Sequence, residues 1–179
     1  MNLEICAERL EQIEADALLV PVDGQLCRLG GAAAAALRAA LAPDERAEEL
    51  EYVEDQLARM RPLAHPRARV IDGVARWTKL VVSAAYPHSV DDAIVTPDQC
   101  ATMVRRALPE ALALAEAEHL GSIAAALIGT AYRMPPELAI RAFFDGIATA
   151  RRQLIIKWSL PDPTHRALAE QLKRASMTR

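Results

Sequence analysis

The chain of 179 residues is 52% hydrophobic and 25% charged, enough apolar material for one domain over residues 1–179 with a core that needs neither disulfides nor a metal. A net charge of −3 and a pI of about 5.8 exclude the generally basic surface that nonspecific nucleic-acid or acidic-membrane binding requires. No apolar run approaches the ~20 residues of a membrane span, and Met1-Asn2-Leu3-Glu4 lacks the basic-then-apolar order of a signal peptide, so a cytoplasmic location is expected.

In chain order, Leu3–Ala7 reads as a short first strand, and the charged stretch Glu8–Glu14 turns the chain. Asp16 precedes a second strand, Ala17–Val22, expected to fray near Pro21 because proline cannot donate to a ladder. Asp23-Gly24 is a turn signal. Gly30-Gly31 then opens an alanine-rich helix, Ala32–Ala40. The segment 44–60 carries seven acids by Asp55 around a narrow stripe of Leu50, Val53, Leu57 and Met60, as expected of a solvated surface helix or one that binds a protein partner.

Ala68–Ile71 and Leu80–Ala84 follow as strands, with a turn at Asp72-Gly73. A long helix begins at Pro97-Asp98. Cys100, Met103, Val104, Ala107, Leu108, Ala111, Leu112 and Ala115 keep helical spacing across Pro109, which predicts one bent helix ending at Leu120-Gly121. Ser122–Ile128 holds no charge and is bounded by Gly129-Thr130, the pattern of a strand buried on both faces. Pro136 starts a helix to about Arg152, Gln153–Trp158 is a strand, and Asp162-Pro163 begins the last helix as N-cap and N1. Helices after most strands predict an α/β fold: three layers, α/β/α, around a mixed, mostly parallel sheet.

Cys6, Cys27 and Cys100 are scattered and odd in number, without metal-ligand spacing, and read as reduced thiols; no metal or cofactor is expected. A strand that runs through a glycine turn into a helix, as at Ser122–Arg133 and again at Ala17–Ala40, is where α/β proteins turn backbone N–H groups to an anionic ligand.

Two segments together resemble the macro domain, the ADP-ribose-binding α/β module. Asp16–Leu37 is similar to the family's VDAIVNAANxxLxxGGGVAxAI, and the long helix with Ser122–Pro136 is similar to its LxxALxLAxxxGxxSIAFPAIGTGxxGxPxxxAA. Ser83-Ala84-Ala85-Tyr86-Pro87 stands where the family has a strand ending in HAVGP. The resemblance implies ADP-ribose or a related nucleotide bound between two strand-to-helix loops by Glu8, Asp23, Gly30, Gly31, Gly129, Thr130, Ala131, Tyr132 and Arg133. Glu8 is the candidate nearest the family's adenine-binding Asp.

Several positions depart from the pattern. Val20 and Asp23 replace two asparagines, Leu29 replaces one glycine of three, and Ala131 and Met134 replace glycines of the second loop. Met134 is expected to crowd the phosphate cradle and Arg133 to compensate by direct contact. An Asp23 anion beside a pyrophosphate opposes binding by roughly 1–4 kcal/mol, unless it accepts from ribose hydroxyls. Asp23, and after it His88, is the candidate for activating water in an ADP-ribosyl hydrolase. A nucleotide binder, a fold that has lost its nucleotide site and serves as a protein-interaction or structural module, and a hydrolase all stay open.

Overall fold

The structure, a computed structural model, describes residues 2–86, 95–130, 134–148 and 153–177. Six strands form one sheet in the order β1-β6-β5-β2-β4-β3, with β1 Asn2–Cys6, β2 Ala17–Asp23, β3 Ala68–Asp72, β4 Lys79–Tyr86, β5 Ser122–Ala125 and β6 Ile155–Ser159. All neighbours are parallel except β3 and β4. The helices are α1 Gly31–Ala40, α2 Arg46–Arg59, α3 Pro97–Ala117, α4 Pro136–Ile147 and α5 Pro163–Met177, and a 3-10 turn, Leu10–Gln12, links β1 to β2. None of the described helices is long and apolar enough to cross a membrane.

The sheet separates two cores, giving the α/β/α layering. On one face α3, α4 and α5 pack Ala107, Leu108, Ala111, Phe143, Ile147 and Ala169 against Leu19, Ile123, Ile156 and Trp158. On the other, α1 and α2 pack Ala33, Leu37, Val53 and Leu57 against Leu18, Val20 and Leu80. With few aromatics, the first core is centred on Trp158, which stacks on Phe143 at 4.1 Å and meets Phe144 edge-on at 5.7 Å.

Several boundaries differ from the sequence reading. β2 does not fray at Pro21 but runs to Asp23, with Pro21 opposite Ser83 of β4. β5 pairs with β2 only at Ala17 and Leu18, so one side of β2 is free of β5 before Pro21 is reached and the missing N–H is tolerated. β5 itself ends at Ala125, not Ile128, and the chain beyond it leaves the sheet. Helix α4 ends at Ile147, with the Ala148 N–H on the Phe144 carbonyl; residues 149–152 lie outside the described residues.

Helix α3 is continuous through Pro109 but closes earlier than Gly121. His119, at φ +58°, takes the left-handed position, and the Leu120 N–H reaches the Ala115 carbonyl at 3.0 Å. Its start is a capping box: Thr96 Oγ1 accepts from the Gln99 N–H at 3.2 Å, and Gln99 Oε1 accepts from the Thr96 N–H at 2.8 Å.

Gly121 serves Asp16 instead. At the amino end of the sheet, Asp16 Oδ2 accepts from the N–H groups of Gly121 (2.7 Å) and Ser122 (2.9 Å), and the Asp16 N–H donates to Ser122 Oγ at 3.0 Å. The Asp16 carbonyl accepts from the Lys79 N–H and Thr78 Oγ1. One aspartate thus sets the starts of β2, β4 and β5 against one another.

Candidate functional site

At the opposite, carboxyl end of the strands lies a cleft of about 530 Å³. This is the end at which open parallel sheets bind ligands. Arg9, Leu10 and Glu11 after β1, Ala126 and Leu127 after β5, and Ser159–Asp162 after β6 build one side; α1 builds the other with Ala32, Ala35, Ala36 and Ala39. Leaving the sheet after Ala125 is what lets β5 open this space. The ends of β1 and β6 are tied by Ser159 Oγ donating to the Glu8 carbonyl (2.8 Å) and the Leu160 N–H donating to the Cys6 carbonyl (2.9 Å).

Alanine explains the room. Ala32, Ala35 and Ala39 recur on the exposed side of α1 while Ala33, Ala34 and Leu37 face the core, so the helix offers the cleft a wall without side-chain bulk. The α1 N-terminus is also bare. Gly30 is the N-cap and supplies no side-chain acceptor, Gly31 follows at φ +59°, and a Cβ at either position would meet nothing within 4 Å among the described residues. The first N–H groups of α1 therefore lack a side-chain cap, an arrangement that suits an anion.

Helix α5 meets the cleft differently. Asp162 Oδ1 accepts from the N–H groups of Thr164 (2.8 Å) and His165 (3.0 Å). The His165 hydrogen bond foremost, then that of Thr164, holds the Asp162 carboxyl below its ordinary range despite some desolvation. The α5 N-terminus is thereby already occupied by a carboxylate, and His165 stands beside it with Nδ1 3.9 Å from Asp162 Oδ1.

Of the residues implied by the resemblance, Thr130 lines the cleft, and Gly30 and Gly31 begin the helix that walls it. Glu8 stands at the β1–β6 junction through its carbonyl, while Arg9 and Glu11 line the cleft. Asp23 is half-buried at the end of β2; its Oδ1 accepts from the N–H groups of Gln25 (3.2 Å) and Leu26 (2.6 Å) and closes the turn after the strand. Gly129 is buried at φ +105°, and its N–H donates to Tyr86 Oη at 3.3 Å. Ala131, Tyr132, Arg133 and His88 lie outside the described residues.

Met134 does not stand in the open. It is 2% exposed in the core shared with α3 and α4, and its terminal methyl fills the space where a Cβ on Gly129 would be. Its replacement of a glycine is therefore absorbed by the core. The sequence reading missed Arg9, Glu11, His165 and the alanine wall. The sequence marks Asp162 only as a helix cap; its place three residues after a parallel strand is the available signal. Cys27 and Cys100 are buried, and burial raises both thiols, as expected of inert packing residues.

No protein-family model and no curated protein sequence matches this chain. Solved structures do. A macrodomain mutant from Oceanobacillus iheyensis superposes with a TM-score of 0.73 at 18% identity, covering 99% of this chain and 94% of its own. The same organism's macrodomain with ADP gives 0.73 at 17% identity over 99% and 93%. A Trypanosoma brucei macrodomain in complex with ADP-ribose gives 0.71 at 14% identity over 96% and 69%. Such agreement over nearly the whole chain, at identities this low, establishes the architecture: this chain has the macrodomain fold.

Proposed function

We propose that the cleft binds ADP-ribose or a related nucleotide, with the pyrophosphate against the first turn of α1. The observation that carries this reading is the bare N-terminus of α1 on the helix that walls the cleft. Among the described residues Gly30 and Gly31 leave open space and no side chain caps the helix, and Ala32, one residue on, already lines the cleft. The volume agrees: about 530 Å³ falls within the 300–1,000 Å³ of small-molecule sites. Solved macrodomains of the same fold with ADP-ribose or ADP support the ligand class.

A second reading, a protein-interaction or structural module without a nucleotide site, is favoured by the second loop. There the Gly129 N–H is held by Tyr86 Oη, and in the first loop Asp23 Oδ1 is held by its own turn. Thermal shift against a nucleotide panel separates the two. A ligand at 100 times its dissociation constant adds about 2.7 kcal/mol, so ADP-ribose raises Tm by several degrees under the first reading. No shift with any nucleotide at millimolar concentration favours the second.

A further inference from the structure

We propose that the outer edge of β3 docks an extended segment of a partner protein with an apolar–acidic–apolar pattern, adding a strand to the sheet. Among the described residues β3 is the terminal strand and pairs only with β4. The Ala84 N–H donates to the Arg67 carbonyl and the Gly73 N–H to the Thr78 carbonyl, each at 3.0 Å. Odd-numbered residues of β3 therefore turn their main-chain groups toward β4, and Ala68, Val70 and Asp72 turn theirs outward.

Asp72 confirms that alternation. Its N–H donates to Gln56 Oε1 and its carbonyl accepts from Gln56 Nε2, both at 3.1 Å. A carboxamide from α2 thus makes the two-point pairing that a neighbouring strand would make, and it seals that end of the edge. Ala68 and Val70 are half-buried, and among the described residues nothing pairs with their outward N–H and C=O groups. They form the floor of a groove of about 410 Å³ whose walls include Gln56 of α2 and Leu114 and Glu118 of α3. An extended chain laid there satisfies the main-chain groups, and side-chain positions that alternate supply the specificity.

The pattern follows from the three residues it meets. Arg69 is exposed and in no ion pair among the described residues, whereas Arg67 faces Glu110 at 3.6 Å and Lys79 holds Asp72 at 2.6 Å. A residue opposite Arg69 shares its face, so an acid fits. Residues opposite Ala68 and Val70 share the α3 face, where both side chains pack on the core, so apolar residues fit. A second copy of this chain fits poorly. The antiparallel register that uses Ala68 and Val70 sets Arg69 against its own copy, and like charges directly opposite destabilise a pair. The register centred on Val70 needs Asp72, which Gln56 holds.

The test is fluorescence anisotropy with the full chain and two labelled peptides, one centred on Val-Glu-Val and one on Val-Lys-Val. The glutamate peptide is expected to bind and the lysine peptide to bind about fivefold more weakly. Arg69→Glu should reverse that order. Val70→Pro removes one outward donor without removing a β3–β4 hydrogen bond, and should abolish binding of both peptides; if it does not fold, Arg69→Glu decides alone. No saturable binding of the glutamate peptide at about 1 mM overturns the proposal, as does binding indifferent to Arg69→Glu. A dimer seen by sedimentation and lost on Arg69→Glu also overturns it, by assigning the edge to a second copy.

Discussion

Replacing Gly129 by alanine separates two reasons for glycine at the head of the second loop. At φ +105° an L-residue is strained by about 1–3 kcal/mol. The new Cβ also overlaps the Met134 terminal methyl, the far end of a flexible side chain, which yields by leaving its preferred rotamer at about 0.5–1.5 kcal/mol. Backbone strain is the larger of the two, so Gly129→Ala should destabilise by about 1.5–4.5 kcal/mol. Met134→Ala alone opens a cavity in the α3/α4 core at about 2–5 kcal/mol. In the double variant the overlap is gone and the strain stays, so the combined loss should fall short of the sum by about 1 kcal/mol. Urea denaturation of the four proteins, with linear extrapolation, measures this. Strict additivity would show that Met134 does not fill the space beside Gly129. Complete rescue of Gly129→Ala by Met134→Ala would show that the backbone there is not at positive φ.

Asp16→Ala leaves the Gly121 and Ser122 N–H groups without their carboxylate; discounted for exposure, this should lower stability by about 2 kcal/mol in the same assay and leave nucleotide affinity unchanged, because Asp16 lies at the far end of the sheet. Ala32→Glu places an anion in the first turn of α1, where it should stabilise the helix by about 0.3–1 kcal/mol yet weaken ADP-ribose binding by roughly tenfold or more through repulsion of the pyrophosphate. Melting curves and calorimetry should therefore move in opposite directions for that variant. The Asp162 carboxyl has a lowered pKa in the folded chain, so its cap contributes above the unfolded-state pKa and is lost as pH falls through the folded one. Asp162→Ala should accordingly lower Tm at neutral pH, with the gap to the parent chain closing in acid.

Much of the architecture is legible in the order of elements, because apolar runs and helical spacing report burial directly. The reading of 97–120 as one helix across Pro109 rests on an apolar stripe that never breaks, and the structure keeps that helix whole. What fails is what depends on distant chain. Pro21 reads as a strand end only until β5 is known to pair no further than Leu18. Gly121 reads as a helix cap because a glycine after a helix ordinarily is one; its contact with Asp16 spans more than a hundred residues. Met134 reads as an obstacle in the loop because nothing local shows that α3 and α4 leave space for it. At the cleft, Gly30 and Gly31 are legible from the strand-to-helix pattern. Arg9, Glu11 and His165 are not, since they converge only when β1 and β6 become neighbours.

Titration calorimetry with ADP-ribose on the parent chain and on Ala35→Trp tests the proposed site most directly. Ala35 is exposed in the α1 wall, so tryptophan fills the cleft without entering the core. Saturable heat from the parent chain that disappears in Ala35→Trp, with the melting temperature of the variant unchanged, is the predicted result. No heat at millimolar ADP-ribose, or equal binding by both proteins, would contradict it.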